Sequence, residues 1–126
     1  MKIEVAISMG ELFDKITILQ IKKEKITDKS KLENINKELS YLQSKVLNND
    51  PKVESLTKRL HRINSTLWDI ENGKRKCEAE SDFGLDFIRL ARDVYLYNDK
   101  RAEVKRLINL HTNSDVVEEK EYTRYK

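Results

Sequence analysis

This sequence predicts an all-α fold: an elongated helical bundle built on a long antiparallel helical hairpin, with short extended ends. Three observations carry that expectation. Pro51 is the only proline in 126 residues, there are just three glycines, and 37% of the chain is charged. Strands and tight turns need more chain breakers than this, so most of the chain must run as long helices. Apolar residues also recur at spacings of three and four over long stretches, the period of a helix face. The expected organisation is a single helical domain over 1–126, with helices at about 9–26, 30–47, 51–79 and 83–111. A chain of this size buries roughly two-thirds of its unfolded surface and needs no disulfide or metal to hold it.

The first helix is announced by Ser8-Met9-Gly10-Glu11, a capping box in which the Ser8 hydroxyl and the Glu11 carboxylate each take an unpaired backbone N–H. Ile7 before the cap and Leu12 after it form the matching hydrophobic staple. The main apolar stripe is Leu12, Phe13, Ile16, Leu19 and Ile26. Ile18 and Ile21 fall outside it, and a helix with apolar residues on two sides usually touches two partners.

Ser30-Lys31-Leu32-Glu33 reads as a second capping box opening helix 2. Leu32, Ile35, Leu39, Leu42 and Val46 then follow coiled-coil spacing. Asn48-Asn49-Asp50-Pro51 is the expected turn, with Asp50 as cap and Pro51 at the first helical position, where its missing N–H costs nothing. Helix 3 repeats the seam through Val53, Leu56, Leu60, Ile63, Leu67, Ile70 and Cys77, passing over Gly73 as a weak point. The short loop predicts that helices 2 and 3 form the antiparallel hairpin. Asp82 is the expected cap of helix 4, which carries Phe87, Leu90, Ala91, Val94, Tyr97, Val104 and Ile108. At the two ends, Ile3-Val5-Ile7 and Val116-Val117 read as short extended arms able to pair with each other.

Net charge is +3, from 25 basic and 22 acidic residues with the signs interleaved. That is a solvated helical surface rather than a nucleic-acid footprint, so nucleic acid is not an expected partner. Cys77 is the only cysteine, and no apolar signal segment or membrane-length stretch is present, so the expected location is the cytoplasm with no membrane partner. His61 and His111 lie far apart and give no metal-ligand spacing, so no metal or cofactor is expected. Asp82-Phe83-Gly84 matches a kinase magnesium motif by chance, since no glycine-rich or catalytic loop accompanies it.

The most suggestive surface is the face of helix 3 away from its seam. His61, Asn64, Ser65, Trp68, Glu71, Asn72 and Arg75 share it, and a tryptophan among hydrogen-bonding groups suits a ligand pocket or a protein interface. The plainer expectation packs Trp68 under helix 1 or 4, with polar neighbours at the rim. On helix 4, Ala91, Tyr95, Asn98 and Ala102 form a stripe flanked by Arg92, Asp99, Arg101 and Lys105. Asn98 suits a register-fixing role, and the cations offer the alternative of a pocket for a phosphate or carboxylate. Glu11, Asp14 and Lys15 share the first turns of helix 1, where capping and i,i+4 pairing compete with acid–base chemistry. The candidate ligand-binding set is therefore Trp68, Glu71, Arg92, Tyr95, Asn98, Asp99, Arg101, Glu11 and Asp14. No catalytic assignment follows.

Several blocks taken together carry a resemblance. They are Ile7-Ser8 with Gly10-Glu11-Leu12, Asp14 through Leu19, Leu67 through Glu71, Cys77-Glu78, Asp82-Phe83-Gly84 with Phe87-Ile88, and Val94-Tyr95. Leu90-Ala91-Arg92, Asn98-Asp99, Arg101-Ala102, Ile108-Asn109 and Val117 through Lys120 complete them. With these, nearly the whole chain resembles a group of small bacterial and phage proteins, the domain of unknown function 6165. Met9, Phe13 and Lys74-Arg75-Lys76 are local departures. The resemblance implies a bacterial or phage cytoplasmic protein and supplies no activity. It singles out polar residues that a plain bundle does not need.

The function expected from the seams and from the missing catalytic set is a protein-interaction or assembly module, forming a homodimer or docking another protein. The alternative is a small-molecule binder or enzyme acting on an anionic metabolite, its site lying where helices 1, 3 and 4 converge.

Overall fold

The structure is a computed structural model and describes residues 1–47 and 50–126. The described residues form four helices, α1 (Met9–Lys25), α2 (Lys29–Gln43), α3 (Pro51–Ala79) and α4 (Leu85–His111), and contain no strand. The fold is all-α. Asn48 and Asn49, the first half of the expected turn, lie outside the described residues.

Local chemistry sets the helix starts. The Ser8 hydroxyl accepts the Glu11 N–H at 3.0 Å. Asp50 accepts the Val53 N–H at 2.9 Å, with Pro51 at the first turn as expected. The cap of α2 is Asp28, not Ser30: its carboxylate takes the Lys31 N–H at 2.9 Å, and a negative charge there also favours the positive helix end. α2 then stops at Gln43, short of the expected 47. Lys45 and Val46 bond back three residues, to the Leu42 and Gln43 carbonyls, and this tightened turn ends the helix. α4 begins at Leu85 with Gly84 as cap, because Asp82 spends its carboxylate on the Gly84 N–H in a local turn.

α3 and α4 form the long antiparallel hairpin, and three cross-links mark its length. His111 Nε2 lies 2.9 Å from Asp50 Oδ2 at one end. Asn64 and Arg101 meet on a shared partner at the middle, and Gly73 faces Leu90 toward the tip. Gly73, inside the unbroken α3, is thus also a point of close approach. Both long helices end in a left-handed residue, Ser81 (φ 53°) and Asn113 (φ 54°). At each, an N–H just beyond reaches back to a carbonyl five residues earlier, Asp82 to Cys77 and Ser114 to Asn109, as in a Schellman end.

The expected pairing of helices 2 and 3 is corrected here. Among the described residues α2 packs on α1 alone and makes no contact with α3. α1 lies between them because it has two buried sides. Leu12, Ile16 and Leu19 pack with Ile35 and Leu39 of α2. Phe13 packs with Val53, Leu56 and Leu60 of α3 and with Val104 and Ile108 of α4. Ile21, outside the main stripe, is buried as well. Each fully buried side chain of this size contributes about 1.5–3 kcal/mol, so both seams are used inside one chain.

α1 crosses the hairpin obliquely, from Asn109 and Lys105 of α4 at its start to His61 of α3, 3.8 Å from Glu24, near its end. The two chain ends do not pair as strands. The N-terminal arm lies by α2, where Glu4 accepts the Tyr41 hydroxyl at 3.3 Å. The C-terminal arm runs back along α4, with Glu118 3.4 Å from Lys105 and Glu119 3.2 Å from Arg106.

Candidate functional site

Asp14 is fully buried, and removing a carboxylate from water costs several kcal/mol unless every oxygen is satisfied. The other two helices at this junction supply what it needs. Arg101 of α4 donates from Nε at 2.8 Å and from Nη2 to the second oxygen, and Asn64 of α3 donates from Nδ2 at 2.9 Å. Asn64 Nδ2 also lies 2.9 Å from Thr17 Oγ1, whose hydroxyl donates to the Asp14 carbonyl. The hydrogen bond that Arg101 donates to Asp14 raises the Arg101 pKa further, against the opposing effect of burial, so this guanidinium is permanently charged.

A second network lies one turn toward the start of α1. The buried Lys105 ammonium meets Glu11 at 2.6 Å and Glu118 at 3.4 Å, while Glu11 also lies 3.6 Å from Lys15. Glu11 therefore answers Lys105 rather than closing the capping box. Asn109 accepts the Gly10 N–H at 2.7 Å, and the α1 and α4 backbones approach so closely that a Cβ on Gly10 would collide with the Lys105 carbonyl.

Above the Asp14 network the three helices enclose a cleft of about 510 Å³. Ile18 and Ile21 of α1 with Leu67 and Trp68 of α3 form its apolar wall. Lys22, Arg75 and Arg101 bring positive charge, Asn64, Asn72 and Asn98 bring amides, and Glu71 is the one carboxylate of the lining among the described residues. Trp68 is half-buried and presents itself to this space. Both Nδ2 hydrogens of Asn64 are committed to Asp14 and Thr17, which leaves its carbonyl oxygen as the atom it can offer.

Of the candidate residues, Trp68, Glu71, Asn98 and Arg101 meet in this cleft, with Asp14 beneath it. Arg92 is exposed and stands apart. Tyr95 and Asp99 line a different cavity, between α4 and the C-terminal arm, to which Asn98 and Arg101 also contribute. Glu11 belongs to the Lys105 network. Sequence reasoning left Lys22 out of the site. Its signal was present in Ile18 and Ile21, the apolar residues off the main stripe of α1, which turn this side of the helix toward α3.

Among the described residues no group of three or more histidine, cysteine, aspartate or glutamate side chains is placed to hold a metal ion. No helix among them is long and apolar enough to cross a membrane. The chain matches the model of a family of unknown function (DUF6165) over residues 1–125 and belongs to that family. Comparison with curated proteins and with solved structures gives no match.

Proposed function

We propose that this member of a family without an assigned activity binds a small anionic ligand with an apolar body, in the cleft between α1, α3 and α4. The observation that carries the proposal is the placing of Arg101. Two of its nitrogens are fixed by a buried carboxylate, so the guanidinium is held rigid and charged at the floor of a cavity walled by Trp68. Such preorganisation lowers the ordering cost of capturing a carboxylate or phosphate. Lys22 and Arg75 add charge, and Trp68, Leu67, Ile18 and Ile21 receive the apolar part. Binding suits the lining better than catalysis: Asp14 and Glu11 are tied in ion pairs, and Glu71 is the carboxylate left to handle a proton, itself 3.4 Å from Lys74.

Trp68 is the only tryptophan, so its emission reports on the cleft directly. Titration with a panel of aromatic and aliphatic carboxylates and phosphates is expected to give a saturable change in that emission, lost in Arg75→Ala. A panel that leaves the emission unchanged at millimolar concentration would falsify the proposal.

A second reading is assembly with another copy or another protein, in a bacterial or phage cytoplasm. The seams that first suggested a coiled coil are filled from within the chain. Phe83, Leu85 and Ile88 at the tip of the α3–α4 hairpin remain exposed and favour this reading. Light scattering at micromolar concentration tests it: a mass twice 14.9 kDa supports a homodimer, and the monomer mass removes it.

A further inference from the structure

We propose that the groove between α4 and the C-terminal arm (residues 112–126) binds a nucleobase bearing a phosphate, either as a free nucleoside phosphate or within a single strand. The arm is held along α4 by Glu118 on Lys105, Glu119 on Arg106 and the Tyr125 hydroxyl on Asp99. It encloses a cavity of about 1150 Å³ that is separate from the Trp68 wall.

Two features of its lining point to one ligand chemistry. Tyr95 of α4 and Tyr122 and Tyr125 of the arm all face this cavity, and they remain 42%, 74% and 51% exposed. Three exposed rings gathered at one cavity mark an interaction surface rather than scattered apolar residues. Tyr95 and Tyr125 meet edge to face, centroids 5.2 Å apart, an arrangement in which neither ring is stacked face to face on the other. Bases stack on the faces of such rings whatever their identity.

The second feature is charge. Lys120, Arg124 and Lys126 line the same cavity, beside Arg101, which Asp14 pairs; Asp99, engaged by Tyr125, is the one carboxylate side chain of the lining among the described residues. The Lys120 and Lys126 ammonium groups lie over the Tyr122 and Tyr125 rings, each 6.0 Å from the centroid, so a cation stands within one ligand's reach of each ring. A base and its phosphate need that pairing. An acidic peptide would meet the cations and leave the rings without use. The basic run of α3, which has no interleaved aromatics, gave no reason to expect such a ligand; the arm alternates Lys120, Tyr122, Arg124 and Lys126.

The test uses the full chain and a short fluorescein-labelled oligothymidylate, read by anisotropy, with AMP and inorganic phosphate as competitors. Saturable binding is expected, weakened about tenfold or more by Tyr95→Ala and by Tyr122→Ala, the loss of one stacked ring in each case. Both positions are exposed, and far-UV circular dichroism checks that the variants fold. Arg124→Gln is expected to flatten the salt dependence by about one phosphate contact. Displacement of the oligonucleotide by AMP assigns the groove to free nucleotides, and resistance to AMP assigns it to a strand; both support the proposal. Three results overturn it: no saturable binding of the oligothymidylate, binding that both tyrosine variants leave unchanged, or displacement by inorganic phosphate as effective as by AMP. Trp68 emission separates this groove from the cleft, since oligonucleotide binding that leaves the emission unchanged leaves the cleft proposal standing on its own titration.

Discussion

Arg101 of α4 grips Asp14 of α1 through two guanidinium nitrogens, and this pair sits where three helices meet. Asp14 is fully buried while the Arg101 side chain keeps 29% of its surface exposed, so the pair reaches from the core to a cavity wall. An apolar pair would pack this junction with less desolvation. What the ion pair adds is a fixed cation at the base of the cleft.

Asp14→Asn leaves Arg101 without its counter-charge and puts an amide donor against guanidinium donors. Breaking a buried pair in this way costs about 3–5 kcal/mol, and the partial exposure of Arg101 sets the expectation at the lower end. Urea unfolding followed by circular dichroism measures it. A loss of under about 1 kcal/mol, the range of an exposed salt bridge, would show that the network contributes no more than surface charge.

Two glycines in helices predict opposite outcomes for the same substitution. At Gly10 an added methyl meets the Lys105 backbone carbonyl, which cannot move without shifting α4, so Gly10→Ala is expected to destabilise by about 2–3 kcal/mol. At Gly73 the neighbour is the end of the Leu90 side chain, 3.0 Å from the added carbon, which can rotate away. There the helix preference for alanine, about 1 kcal/mol, offsets the crowding, and Gly73→Ala is expected to be neutral or stabilising. Paired denaturation curves check both, and equal effects at the two sites would contradict the packing.

Much of this was legible in the residues, and the exceptions have physical causes. Helix type and the starts of α1 and α3 follow from local chemistry: Ser8 and Pro51 act within one turn of themselves. The partner of α2 was not legible, because Leu32, Ile35, Leu39, Leu42 and Val46 fit any apolar stripe, whether of α1 or α3. What decides is the second buried side of α1, and its key residue, Asp14, carries a charge that reads as surface until Arg101 and Asn64 are brought to it from 87 and 50 residues away. For the same reason helical spacing collected Trp68, Glu71 and Asn72 on one face, yet could not separate Arg92 from Arg101. They lie on one helix with different neighbours, and only the crossing of α1 tells them apart.

Cys77 is buried near the free end of α3, and burial, with nearby Asp82, Asp86 and Glu80, pushes its thiol pKa up. The thiolate is the reactive form, so native protein at pH 7 is expected to react slowly with a disulfide reagent. The rate should rise to that of a free thiol in denaturant. Fast, stoichiometric labelling without denaturant would mean that the hairpin tip opens readily.

Asp50 joins the start of α3 to the end of α4, and its carboxyl is held below the ordinary aspartate range. The Val53 N–H is the main cause, followed by the hydrogen bond with His111. A carboxylate with a lowered folded pKa stabilises the protein above its unfolded pKa, and that contribution fades as pH falls through the folded value. The stability difference between the wild type and Asp50→Ala is therefore expected to be constant near neutral pH and to shrink on acidification below the usual carboxylate range. Asp50→Asn separates the two causes, because asparagine caps a helix as well as aspartate but does not titrate. It should retain most of the wild-type stability at pH 7 and lose the acid dependence of this site. Denaturant midpoints for the three proteins across neutral and acidic pH decide the matter: if Asp50→Asn falls as far as Asp50→Ala at pH 7, the charge rather than the cap holds this end of the hairpin together.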